Sequence, residues 1–138
     1  MHLSKAAVAA VLSAFWLLFA TAGEAQANLR PQLKSLLHQI SRHYGRPVII
    51  ISGCRSTSHN RRVGGRRGSY HLRCMAADIR VAGVSKVALL QFARRINGRG
   101  GIGAYCHKDF IHIDIGPRRE WRYGCGRKHG KWHKHKRR

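Results

Sequence analysis

Carboxylates are nearly absent from this sequence. Glu24, Asp78, Asp109, Asp114 and Glu120 are the whole set, facing 27 lysines and arginines. Acids this scarce in so basic a chain are expected to disperse as partners for arginines. Instead Asp78, Asp109 and Asp114 keep company with His71 and His112. Two further absences narrow the reading. The cysteines, Cys54, Cys74, Cys106 and Cys125, contain no Cys-x-x-Cys pair, which counts against a structural cysteine-zinc knuckle. No apolar run reaches the roughly 20 residues that a bilayer-spanning helix needs, and no internal repeat is visible.

The apolar run Ala6 to Ala20 fits a secretory signal: Lys5 precedes it, and Ala25-Gln26-Ala27 offers a small-residue cleavage site. An uncleaved anchor is the competing reading, and the shortness of the run counts against it. Residues 1–27 are therefore expected to be removed, leaving an exported protein, periplasmic or extracellular, without a transmembrane anchor. Its remaining residues make one small domain.

In an exported chain, cysteines favour disulfides over free thiols. Three pairings are open. Cys54 with Cys74 and Cys106 with Cys125 are favoured because each joins neighbouring segments, and a loop of that size contributes roughly 3 kcal/mol in the chain-entropy picture. The formal charge of +22 bears on partners rather than on fold. It suits an anionic polymer, which for an exported protein means peptidoglycan with its peptide carboxylates, wall acids, lipopolysaccharide or extracellular DNA.

Leu29, Leu33, Leu36, Leu37, Ile40 and Tyr44 recur at helical spacing, so residues 29–44 read as an amphipathic helix ended by Gly45 and Pro47. Val48 to Ile51 is short and β-branched throughout, the mark of a buried strand. From Cys54 to Tyr70 no apolar periodicity exists and glycines alternate with arginines, so a long functional loop is expected. Met75 to Val81 reads as a strand. Ser85 caps a helix carrying Leu89, Phe92, Ala93 and Ile96 on one face and ending near Asn97-Gly98. Gly100 to Tyr105 reads as a glycine-rich turn leading into a strand; Phe110 to Ile115 alternates as a strand, and a last short strand runs through Trp121 to Tyr123. Residues 28–125 form the domain. Gly126 to Arg138 has too few apolar groups to fold and reads as a mobile basic arm.

A catalytic zinc takes three protein ligands and keeps a further position open. His71 at the loop end of one strand, Asp78 within it and His112 in the middle of another can present two imidazole nitrogens and a carboxylate oxygen to one point. Strand alternation places Asp114 on the face of His112, as an outer group or an alternative ligand. Asp109, three residues before His112, is placed at the strand entrance as a general base. Arg55, following a buried strand, is a candidate for holding a substrate carboxylate or a developing oxyanion. Any single histidine here is more readily a surface residue, and His59, His107, His129, His133 and His135 are assigned so. It is the pairing of histidines with rare acids that favours a metal.

Taken in order, Ser52-Gly53-Cys54-Arg55-Ser56, Asn60, Val63-Gly64-Gly65, Ser69-Tyr70-His71, Met75 to Ile79, Gly100 to Tyr105 and Phe110 to Asp114 resemble the zinc D-Ala-D-Ala carboxypeptidase and murein endopeptidase family, specifically its periplasmic murein endopeptidase branch. The resemblance covers roughly residues 30–123. It implies a hedgehog-like fold, zinc on His71, Asp78 and His112, Asp109 as the base and Arg55 at the transition state. Ser69 and Asp114 are expected beside them as supporting or substrate-side groups. The family usually carries a bulky aromatic at the position of Cys54 and a glycine at that of Cys74. Both depart together here, which agrees with a bond between them.

The expectation is thus an α+β domain with a small antiparallel sheet, flanking helices and a zinc cleft at one end, hydrolysing peptide bonds of peptidoglycan as an endopeptidase or a D,D- or L,D-carboxypeptidase. A non-catalytic, zinc-stabilised binder of cell wall or another anionic polymer is the alternative. A nucleic-acid binder follows from charge alone and makes no demand for paired histidine and aspartate segments, so no specific nucleic acid is expected.

Overall fold

The computed structural model describes residues 28–125 apart from Asn97. The leader assigned to 1–27, the arm at 126–138 and the helix end placed at Asn97 lie outside the described residues, wholly or in part. Helix α1 spans Pro31–Tyr44, with proline in its first turn and Gly45 closing it in a left-handed conformation at φ 60°. Strand β1, Val48–Ser52, follows, then helix α2, Thr57–Arg62, a 3-10 turn, Tyr70–Arg73, and β2, Ala76–Val81. Helix α3, Lys86–Arg95, starts at the Ser85 cap, whose hydroxyl accepts from the Ala88 amide. Strands β3, Gly101–Tyr105, β4, Ile111–Asp114, and β5, Arg119–Tyr123, complete the fold.

The five strands form one sheet in the order β1-β2-β4-β3-β5. Every pair is antiparallel except β3 with β5, which run parallel. The sheet expected to be antiparallel is therefore mixed at one edge. The link after β4 crosses the start of β3, where a side chain on Gly100 would meet the Gly116 carbonyl oxygen at 2.1 Å.

Alternation divides the sheet into two faces of different chemistry. Ala77, Ile79, Val81, Ile102, Ala104, Ile111 and Ile113 point into the core, against Leu33, Leu36, Leu37 and Ile40 of α1 and Leu89, Leu90 and Ala93 of α3. The intervening positions, Asp78, Gly103, His112 and Trp121, belong to the other face. One face holds the domain together and leaves the other for polar groups.

Two sequence expectations are corrected. The stretch 54–70 is not a structureless loop, because α2 lies within it. Its anchors are polar and so leave no apolar period: the Ser56 hydroxyl accepts from the His59 amide, and buried Asn60 donates through Nδ2 to the Arg66 carbonyl at 2.9 Å. Gly101 to Gly103 is not a turn but the body of β3. Its bare backbone makes room for bulky groups from β4 and β5: a Cβ on Gly103 would sit 2.5 Å from the Trp121 ring, and one on Gly101 2.5 Å from the Asp114 carboxylate.

Candidate metal centre

Strands β2 and β4 are neighbours in a register that sets Asp78 directly opposite His112. His71 arrives from the 3-10 turn just before β2. Ser69 caps that turn, its hydroxyl accepting from the His71 amide, and Cys74 closes it in a left-handed conformation at φ 56°. The bond from Cys54 to Cys74, with Cα atoms 4.4 Å apart, ties the turn to the end of β1. The Arg55 amide donates to the His71 carbonyl at 3.0 Å across the same junction.

Three side-chain atoms converge as a result. His71 Nε2 lies 3.3 Å from Asp78 Oδ1, His112 Nδ1 lies 3.0 Å from the same oxygen, and the two nitrogens are 3.2 Å apart. All three residues are buried.

The outer atoms of both rings are committed elsewhere, and this fixes what the inner atoms offer. His71 Nδ1 faces the Gly53 carbonyl at 2.6 Å. A carbonyl only accepts, so Nδ1 carries the proton and Nε2 points inward with a lone pair. His112 lies between two carboxylates, Nε2 3.1 Å from Asp114 Oδ2 and Nδ1 3.0 Å from Asp78 Oδ1; the tautomer with its proton on Nε2 turns the Nδ1 lone pair inward. Two lone pairs and a carboxylate oxygen aimed at one point repel one another unless a cation or proton sits among them. Two imidazoles held by a carbonyl and a carboxylate, with a third ligand from aspartate, fit a zinc-type ion.

The ionisation of the site follows the same geometry. Burial pushes the Asp78 carboxyl up, but hydrogen bonds from His112 and His71, with the charge of both rings, outweigh it and hold the group well below the usual carboxylate range. For His112, burial favours the neutral ring, yet hydrogen bonds to Asp114 and Asp78 win and raise its pKa. Asp114 is fully buried. Burial would raise it, but His112, the amides of Gly101 and Gly116 and the charge of Arg119 bring it down to about 2. Asp114 thus spends its oxygens on His112, two amides and Arg119, and stands as the outer partner of His112.

Arg55 donates from Nη2 to Asp78 Oδ2 and from Nε to Ser52 Oγ, the latter at 2.7 Å, so its guanidinium sits at the rim of the cluster. Asp109 does not join the three donors. Its side chain is 76% exposed, and among the described residues its ion pair is with Arg80 Nε at 3.8 Å. Arg80 is two residues beyond Asp78 and so shares the same sheet face. Cys106 is bonded to Cys125, Cα atoms 5.1 Å apart, so both favoured disulfides are present. His59 and His107 lie outside the cluster, whereas His129, His133 and His135 fall beyond the described residues.

Three residues of this face were not singled out for the site by sequence reasoning. The Trp121 ring packs 5.1 Å from that of His112. Tyr105 follows the glycines of β3, and burial raises the pKa of its hydroxyl. Arg119 reaches Asp114 from β5. The available signal was the pairing of period-two glycines, Gly101 and Gly103, with period-two bulky residues, Arg119 and Trp121.

A protein-family model described as Peptidase M15 matches residues 15–114. Among curated proteins, the chain is 39% identical over 80 residues to the probable peptidoglycan L,D-endopeptidase MepK of Haemophilus influenzae, covering 54% of this chain and 42% of that protein. It is 34% identical over 101 residues to the peptidoglycan L,D-endopeptidase MepK of Escherichia coli K12, covering 68% of this chain and 55% of that protein. The chain spans about half the length of these curated relatives.

Proposed function

The chain belongs to the peptidase M15 family, and from that premise we propose that it is an exported, zinc-dependent peptidase that cuts peptide bonds in peptidoglycan. The observation that carries the reading is the convergence of His71 Nε2, Asp78 Oδ1 and His112 Nδ1 as three inward acceptors whose outer partners are already in place. The M15 match and the relatives' names supply the substrate class.

His71, Asp78 and His112 hold the ion. A zinc ion bound there supplies Lewis acidity, polarising the scissile carbonyl and acidifying water. Asp109 would accept the proton of the attacking water as its oxygen bonds to the scissile carbonyl carbon, and would pass it to the amine nitrogen as the C–N bond then breaks. Arg55 places a positive charge at the rim and stabilises the oxyanion. Ser69 positions His71 through the cap of its turn.

The mixed five-stranded sheet with helices on one face is consistent with a hedgehog-like fold. Two disulfides agree with an oxidising, exported setting, with residues 1–27 as leader. No helix among the described residues is long and apolar enough to cross a membrane. The basic surface and the arm at 126–138 hold the enzyme on its anionic substrate and on other anionic envelope polymers.

Purified muropeptide dimers carrying either an L,D or a D,D cross-link, digested by the zinc-loaded protein and resolved by mass, test the reading. Cleavage of the L,D dimer is expected. Zinc-loaded, folded protein that binds peptidoglycan and leaves every muropeptide intact would move the assignment to a zinc-stabilised wall binder.

A further inference from the structure

Arg119 touches both halves of the cluster's support. Its guanidinium carbon lies 4.8 Å from the centre of the Tyr70 ring and 5.1 Å from that of Trp121. Tyr70 precedes His71 in the 3-10 turn, and Trp121 packs on the His112 ring. Between these rings, Arg119 donates from Nη2 to Asp114 Oδ2 at 2.6 Å and from Nη1 to Asp114 Oδ1 at 3.2 Å and the Pro117 carbonyl at 3.0 Å. Asp114 Oδ2 is the atom that faces His112 Nε2, at 3.1 Å.

The surroundings are shaped for this guanidinium. A Cβ on Gly101 would lie 2.8 Å from its carbon, and one on Gly116 2.3 Å from the Tyr70 ring. A forked guanidinium suits the two oxygens of Asp114, and its flat faces suit two aromatic rings, so a simple ammonium reproduces only part of the contact.

We propose that Arg119 is a positioning residue of the metal centre: clamped between Tyr70 and Trp121, it holds the Asp114 carboxylate on His112 Nε2. The Nδ1 lone pair of His112 thereby stays aimed at the point shared with His71 and Asp78. The proposal rests on the metal reading above and adds to it a residue that touches neither ligand atoms nor substrate.

Zinc affinity measured by chelator competition on folded, wild-type, Arg119→Gln and Arg119→Lys proteins tests it, with circular dichroism as the fold control. Loss of an outer partner such as Asp114 typically weakens metal binding about 10–100-fold; Arg119→Gln, acting through Asp114, is expected to weaken it by up to about 10-fold and Arg119→Lys to recover part of that. A merely structural role would lower the melting temperature and leave the affinity of the folded protein unchanged, and that result would overturn the proposal. Should Arg119→Gln not fold, nitrogen-15 NMR of the neutral histidines in metal-free wild type decides. A proton on His112 Nε2 is expected, and one on Nδ1 refutes the clamp. Wild type that binds no zinc removes the metal reading itself, whereas wild type and folded Arg119→Gln binding equally removes only the role of Arg119.

Discussion

The titration of His112 and its two acidic partners gives the site a proton-dependent character. Without metal, the raised pKa of His112 adds stability that is fully present below the ordinary histidine value and is lost as pH rises through the raised one. Asp78 and Asp114, both lowered, contribute stability present above the ordinary carboxylate value and lost as pH falls through their folded values, about 2 for Asp114. The metal-free protein should therefore be most stable between the ordinary carboxylate and histidine pKa values. Zinc reverses the balance at its upper end, because a metal-bound imidazole must release its inner proton. Calorimetric zinc titrations in buffers of different ionisation enthalpy are expected to show proton release that grows as pH drops below the raised pKa of His112. Absence of proton release at mildly acidic pH would mean that His112 is not a ligand.

Among the elements, β3 and the disulfide at the His71 turn carry the most specific consequences. Gly103→Ala pushes a methyl group into the Trp121 ring, 2.5 Å away, and overpacking of this kind costs about 1–3 kcal/mol. Urea denaturation followed by tryptophan fluorescence measures it. Replacing Cys54 and Cys74 together by serine frees a cross-link of sequence separation 20, expected to cost about 2–4 kcal/mol of stability. The same variant should bind zinc more weakly, since the bond joins the turn of His71 to the segment of Gly53 and Arg55. An unaltered zinc affinity in the folded double variant would show that hydrogen bonds alone hold the turn.

Much of this was legible in the residues, for physical reasons that can be named. The apolar spacing of α1, the Ser85 cap of α3 and the alternation of β4 are local signals, and each element is present. His71, Asp78 and His112 were visible because acids are scarce, so their company with histidines stood out. Helix α2 was hidden because Ser56 and buried Asn60 anchor it instead of an apolar stripe. The glycines of β3 read as a turn because the groups filling their space, Trp121 and Arg119, come from a strand that is parallel to β3 and later in the chain. The parallel pairing and the exposed, Arg80-paired setting of Asp109 are long-range outcomes that a linear pattern does not encode.

For the whole molecule, the balance of charge is strongly basic. Each described acid has a basic partner: Asp78 with Arg55, Asp109 with Arg80, Asp114 with Arg119 and Glu120 with Arg94. Arginine and lysine outnumber these partners several times over. Removal of residues 126–138 is therefore expected to weaken binding to isolated cell wall strongly at low salt and little at high salt, because exposed charges are screened within about 10 Å at 0.1 M. Sedimentation of the protein with insoluble peptidoglycan measures this, and equal binding by both forms at every salt concentration would assign the attachment to the domain alone.

The central claim is that one ion held by His71, Asp78 and His112 turns this basic domain into a peptidoglycan peptidase. Its most direct test is to strip the protein with chelator and add zinc back stepwise, recording bound metal and cleavage of cross-linked muropeptides in the same samples, with His112→Ala beside the wild type. Cleavage is expected to rise with bound zinc, level off at one ion per chain and stay absent in the variant. Full cleavage by the stripped protein, or none by wild type carrying one zinc, would contradict it.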